Sequence, residues 1–276
     1  MSREPAILAH IQGGLGNQLF SYAPARAIAE RAQIPLRINS RSGFRKEMYR
    51  RDYLLGHFQI DAPETGYWEG FRDPLGRSRR SWIRKFNETR PVYLVGYWLD
   101  ERYFIDARDI LRRELTIRDP ATLSPDEQTL AWCGQPNSVS VHCRSYREVA
   151  NPQPGLMLDA AYYAKAFEIA LRHEPDAQFV VFSDDTDWAR SFIRTIGHNE
   201  RVCYAPPVQG DPALATLTDF WLMLRCQHHI AANSSFSWWV AWLGEEEGSL
   251  VIAPPQGFPS CGDGFPTRWL LTAKED

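Results

Sequence analysis

Cysteine is scarce in this 276-residue chain: the five present, Cys133, Cys143, Cys203, Cys226 and Cys261, are odd in number and widely scattered. No CxxC pair and no Cys/His spacing suggests zinc, so a disulfide scaffold and a zinc module are excluded. The thiols read as reduced, as in a cytoplasmic protein. Long apolar runs are missing too, and none approaches the ~18 residues of a membrane span. The opening MSREPAILAHIQGG carries an apolar stretch too short and too soon interrupted for a secretory signal, and reads as the first strand of the fold. Internal repeats and low-complexity segments are lacking. The chain is slightly acidic, with a formal net charge of −3, and contains no nucleic-acid motif. This argues against a nucleic-acid partner despite the basic, aromatic run RSRRSWIRKF.

What is present suits a globular protein able to bury a core: 44% of residues are hydrophobic and 24% charged. Aromatic residues are plentiful (10 Trp, 11 Tyr, 14 Phe), as is common where sugar C–H faces stack on rings. Charge is unevenly spread. Between Arg37 and Arg90 there are 13 Arg/Lys against 7 Asp/Glu, an excess of six positive charges. Such a patch suits an anionic glycan or a membrane surface, and equally a solvated arginine-rich face.

The grammar is strand, turn, helix, repeated. AILAHI (6–11) reads as a buried strand, GGLGNQ as the turn after it, residues 19–32 as a helix with Pro24 near its first turn or kinking it, and IPLRIN (34–39) as a second strand. This β-α-β opening implies a parallel sheet. Residues 91–98 form a further strand and roughly 101–113 a helix. Prolines 120, 125 and 136 mark a boundary within 118–137. After it come strands at 138–142, 177–183, 201–205, 228–233 and 249–254, with helices between them, the first capped by Asp159. The expected class is α/β, with two halves facing a cleft, divided as residues 1–130 and 131–276.

Four strand-to-helix junctions carry unusual residues, and ligands bind at the carboxyl ends of parallel strands. In QGGLGNQ (12–18), Gly14 and Gly16 allow close backbone approach to a phosphate or sugar, and Asn17-Gln18 exceed what a plain turn requires. The dinucleotide fingerprint is incomplete, because its third glycine falls on Leu19 and the second strand leads to Asn39 and Arg41 with no acid. NAD is disfavoured, and Arg41 leaves an NADP-dependent oxidoreductase as an alternative. In VSVHCR, alternation puts Ser140 and His142 on one face, and His142 and Arg144 share the strand's mouth. An arginine there can grip a diphosphate bidentately, or simply pair with a carboxylate. In FSDDTD, the Asp185-x-Asp187 spacing suits a divalent cation but equally suits helix capping, while Asp184 at the strand tip suits a nucleoside hydroxyl or base edge. In HHIAANSSFSWWVAWLG, Asn233 precedes Ser234, Ser235 and Ser237 in the first turn of an apolar helix, an arrangement suited to phosphate; Trp238, Trp239 and Trp242 read as core.

Together GGLGNQLFSYA, VSVHCR, FSDD and HHIAANSSFSWWVAWLG, with the closing VIAPP and FPTRWL, resemble the α-1,2-fucosyltransferase family of inverting glycosyltransferases, in order and spacing and over nearly the whole chain. The resemblance implies a GT-B-like pair of Rossmann-type domains: an N-terminal acceptor-side domain over 1–130 and a C-terminal donor-binding domain over 131–276, with the C-terminal tail a candidate to return to the first. It implies GDP-β-L-fucose as donor, the 2-hydroxyl of a terminal galactose as target, inversion, and no metal or other cofactor. The acceptor would be an oligosaccharide or lipid-linked glycan, the setting cytoplasmic and at the inner membrane face, with residues 37–90 as a peripheral contact. Arg144 maps to the diphosphate-binding arginine and Asn17 to the asparagine near both substrates. Gly14, Gly16, Asp184, Asn233, Ser234, Ser235 and Ser237 are the expected donor-binding set. The family's usual His-x-Arg-Arg-Gly-Asp-Tyr becomes His142-Cys143-Arg144-Ser145-Tyr146-Arg147-Glu148 here. Glu148 is the candidate general base, with His142 positioning or hydrogen-bonding. A non-catalytic glycan-binding protein is the other alternative, motivated by the aromatics and this altered run.

Overall fold

In the computed structural model, residues 5–45, 49, 51–65, 92–147, 156–255 and 264–272 are described. Glu148, Cys261 and much of the basic stretch 37–90 lie outside them. The chain divides into two compact units, Met1–Asp119 and Pro120–Asp276.

The first unit is built on a three-stranded parallel sheet in the order β2-β1-β3, with β1 at Ile7–His10, β2 at Leu36–Asn39 and β3 at Val92–Leu94. Between β1 and β2 runs α1, Leu15–Ala32, which ends at a left-handed Gln33. The helix starts four residues earlier than the sequence suggests, so Gly16 and Asn17 belong to its first turn. Pro24 sits in its middle, where it removes one backbone hydrogen bond without ending the helix. Thirteen of its residues are buried, Leu19, Phe20, Ala23 and Ala27 among them, and a helix enclosed on nearly all sides needs no polar stripe. The helix expected at 101–113 is broken. Short 3-10 turns at Glu101–Tyr103 and Ile105–Ala107 meet at Phe104, φ −147°, before α2 at Arg108–Glu114.

The second unit contains a six-stranded sheet in the order β6-β5-β4-β7-β8-β9, every pair parallel. In chain order its elements are α3 (Glu127–Cys133), β4 (Ser138–Cys143), α4 (Ala160–His173), β5 (Gln178–Ser183), α5 (Thr186–Ile196), β6 (Val202–Tyr204), α6 (Pro212–Met223), β7 (His228–Ile230), α7 (Ser235–Gly244), β8 (Val251–Ala253) and β9 (Leu270–Leu271). The proline-rich stretch read as a boundary holds α3, capped by Asp126, which accepts from the Thr129 N–H at 2.9 Å. This helix packs on β4, β5 and β6. The described part of the tail, 264–272, adds β9 beside β8.

Burial follows from this layering. All six residues of β4 are buried, including Ser138, Ser140 and His142, so its alternation separates two covered faces and no face meets water. Val139, Val141 and Cys143 pack with Tyr163, Phe167 and Ile193, and the Phe167 and Phe179 rings stack at 3.9 Å. On the opposite face Ser140 Oγ lies 2.8 Å from His229 Nδ1. Trp238, Trp239 and Trp242 are fully enclosed, and the Trp238 indole N–H donates to Gly264 O at 2.7 Å; they are core, as expected. Among the described residues no helix is long and apolar enough to cross a membrane.

Candidate functional site

The topology of the second unit selects one place. From β4 the chain steps outward to β5 and then β6 on one side, and α6 carries it back to β7 and β8 on the other. The order therefore reverses between β4 and β7, and the crevice outside their carboxyl ends is the general ligand position in such sheets. Two tyrosines of α4 pin that edge: the Tyr163 hydroxyl donates to His142 O at 3.0 Å, and the Tyr162 hydroxyl donates to Ala231 O.

His142 and Arg144 leave β4 here. His142 is 7% exposed, and its Nδ1 is buried with no hydrogen-bond partner among the described residues. Burial, reinforced by the Arg144 charge and opposed by Asp184, pushes the imidazole down to about 3, so it is neutral at pH 7 and a weak base. Its ring lies 5.5 Å from that of Phe236. Arg144 forms an ion pair with Asp184, on the residue after β5. The same carboxylate accepts from the Ser145 N–H at 2.7 Å and the Tyr146 N–H at 3.1 Å. Arg144 also lies over the Tyr146 ring, 4.8 Å from its centroid, and the Tyr146 hydroxyl donates to Asn233 O across the reversal point. Arg144, Asp184 and Asn233 are thus brought together, with Tyr146 the link that sequence reasoning missed. Only the glycine usual at that position signalled it.

Asp185 is committed elsewhere. It caps α5, accepting from the Trp188 N–H at 3.0 Å, and pairs with Arg147 at 2.8 Å. The Asp-x-Asp spacing is accounted for by capping, and among the described residues no group of three His, Cys, Asp or Glu side chains could hold a metal ion.

The serines at the start of α7 divide. Ser234 is the N-cap and accepts from the Phe236 N–H at 3.3 Å. The Ser237 hydroxyl is turned inward, accepting from the Ala232 N–H at 3.1 Å and donating to Ser234 O at 3.3 Å. Two residues of helix rotate a side chain through roughly 200°, so Ser235, half-buried, and Ser237, enclosed, cannot face one ligand. The helix start still offers first-turn N–H groups and the positive end of a dipole.

Gly14, Gly16 and Asn17 belong to the first unit. Gly14 precedes α1 in extended conformation, φ −69°. A Cβ there would lie 3.4 Å from the Arg51 guanidinium, so the turn is already closely approached by the chain itself. Gln18 is structural: its amide donates to Gly13 O at 2.8 Å and Asp52 O at 2.7 Å and accepts from the Leu54 N–H at 2.8 Å. Nearby, His10, Asn39, Ser42 and Tyr93 form a polar network, with Tyr93 Oη 2.7 Å from His10 Nδ1. Sequence reasoning missed this cluster, whose members lie up to 83 residues apart. It also missed Asp219 on α6, whose carboxyl is pushed up to about 7 by burial.

The family model for glycosyl transferase family 11 matches residues 66–260. Over 97% of its length the chain is 28% identical to an alpha-1,2-colitosyltransferase from Escherichia coli, covering 99% of that protein. It is 26% identical to the galactoside 2-alpha-L-fucosyltransferase Sec1 of Mus musculus, over 88% of this chain and 66% of that one. Among solved structures it is similar to the fucosyltransferase NodZ from Bradyrhizobium (TM-score 0.53, 15% identity, 85% of this chain and 92% of that one). It is also similar to POFUT1 in its apo form (TM-score 0.52, 10% identity, 92% and 98%). These structural likenesses establish a parallel-sheet α/β fold common to this chain and those fucosyltransferases.

Proposed function

This chain belongs to glycosyl transferase family 11, and from that premise we propose that it transfers L-fucose from GDP-β-L-fucose to the 2-hydroxyl of a terminal galactose, with inversion. Two Rossmann-type domains would face a cleft in a GT-B-like arrangement, residues 1–119 on the acceptor side and 120–276 on the donor side. The observation that carries this reading is the convergence of Arg144, Asp184, Asn233 and the start of α7 on the reversal point of the second sheet.

The chemistry follows from charge. As the bond from the anomeric carbon to the β-phosphate oxygen breaks, its electron pair leaves with GDP. The sugar gains oxocarbenium character, and the acceptor oxygen attacks the opposite face and gives up its proton. Arg144 and the first-turn N–H groups of α7 would stabilise the departing diphosphate, each well-placed donor worth about 3 kcal/mol. His142, neutral and feebly basic, serves as a hydrogen-bonding group to the donor and leaves proton removal to another residue, for which Glu148 is the candidate. Asn17, Gly14 and Gly16 would meet the acceptor and the donor sugar from the first unit. The acceptor is a galactose-terminated oligosaccharide or lipid-linked glycan.

Calorimetric titration of GDP into wild type and Arg144→Ala tests the reading, with NADP as control. Micromolar GDP binding that weakens at least a hundredfold in the variant is expected; absent GDP binding, or NADP binding instead, would remove it. A second reading, in which the transferred sugar is colitose, is favoured by the Escherichia coli relative matched along nearly its whole length. Transfer assays run in parallel with fucosyl and colitosyl donors separate the two.

A further inference from the structure

Tyr146 occupies the left-handed backbone region, φ 56°, which glycine enters freely and a bulky side chain does not. Where the family's usual run has Arg-Gly after the first arginine, this chain has Ser145-Tyr146. Here a backbone shape suited to glycine carries a tyrosine, which bears its strain. Residues in such conformations persist where their surroundings hold them, and they cluster at working sites.

Three contacts hold this one. The Tyr146 N–H donates to Asp184 Oδ2 at 3.1 Å, its hydroxyl donates to Asn233 O, and its ring lies under the Arg144 guanidinium at 4.8 Å. They link β4, β5 and β7 at their carboxyl ends. Arg144 is confined by the Asp184 carboxylate at its tip and by an aromatic face along its plane. A planar cation fixed on two sides can aim its remaining N–H groups in few directions.

We propose that Tyr146 is a positioning residue that sets the direction of the Arg144 guanidinium toward the donor diphosphate, with the left-handed backbone at 146 letting the ring reach it. This rests on the reading of Arg144 as the diphosphate group. Tyr146 is half-buried and is not a member of the apolar core around β4.

The experiment compares wild type, Tyr146→Gly and Tyr146→Phe by thermal melting and by calorimetric titration of GDP. Tyr146→Gly relieves the left-handed strain and should melt no lower than wild type, yet bind GDP about tenfold more weakly because the guanidinium is no longer held. Tyr146→Phe keeps the ring and should recover most of that loss. Tyr146→Gly binding GDP within twofold of wild type would overturn the role. A variant melting far below wild type, with affinity lost in step, would make the tyrosine a packing element and overturn it as well. Wild type that binds no GDP would overturn the donor-site reading before any substitution is considered, and the two failures are thereby distinct.

Discussion

His142 and His229 are enclosed titratable side chains and Asp219 a half-buried one, and they answer to pH in opposite senses. Burial holds both imidazoles down at about 3, against ~6.5 for a free one. Between those values the unfolded chain binds protons that the folded chain does not, so stability falls as pH falls through that window. Asp219 is pushed up to about 7. Between the ordinary carboxylate range and that value the folded state retains a proton, so stability falls as pH rises. Each shifted group contributes about 1.4 kcal/mol per pH unit inside its window. The two histidines outweigh the one carboxyl, and wild type should gain stability from pH 4 to pH 6. Asp219→Asn removes the opposing slope and should steepen that gain by a similar amount. Urea midpoints at pH 4, 5 and 6 measure it; parallel curves for the two proteins would show that Asp219 titrates normally.

At the scale of elements, α7 shows what a sequence can and cannot announce. Its tryptophan core and, to within a residue, its start are legible in NSSFSWWVAWLG, because an unbroken apolar run behind small polar residues is a local signal. The division of labour among its serines is not, since it depends on which way the preceding turn presents Ala232. Ser237→Ala should cost about 1–2 kcal/mol, because the Ala232 N–H loses its acceptor in an enclosed site. Ser235→Ala, at a half-buried position, should cost under about 0.5 kcal/mol. Chemical denaturation of both variants would reveal the contrast, and equal losses would refute the inward assignment of Ser237. The same limit explains α1 and the Tyr146 link. Helix 15–32 begins earlier than its apolar spacing suggests because Leu15, Gly16 and Gln18 in its first turn are buried in the unit around them, which overrides the poor helix propensity of Gly16 and Asn17. Tyr146 reaches Asn233 across 87 residues of chain, a contact that strand order creates and no spacing encodes.

On the scale of the whole molecule, two parallel-sheet α/β units follow from the alternation of strands and helices on either side of the irregular stretch 40–90, and the family match over 66–260 covers VSVHCR, FSDD, HHIAANSSFSWWVAWLG and VIAPP among the motifs that first suggested it. The last strand has a consequence of another kind. β9 is two residues long with both leucines exposed, yet its flanks are firmly tied down. Arg268 Nε donates to Glu245 Oε1 at 2.9 Å, the Trp269 indole N–H donates to Glu245 Oε2 at 2.7 Å, and Gly264 O accepts from Trp238. Removing residues from 264 onward would take from the buried Glu245 carboxylate its Arg268 and Trp269 partners. It would also make β8, whose Ile252 and Ala253 are wholly buried, the rim of the sheet. An apolar strand with open amides and carbonyls recruits its own kind. The shortened chain should therefore elute from a sizing column as high-mass aggregate, where the full chain gives a discrete species. Residues 264–272 would thus guard the rim of the sheet against self-association.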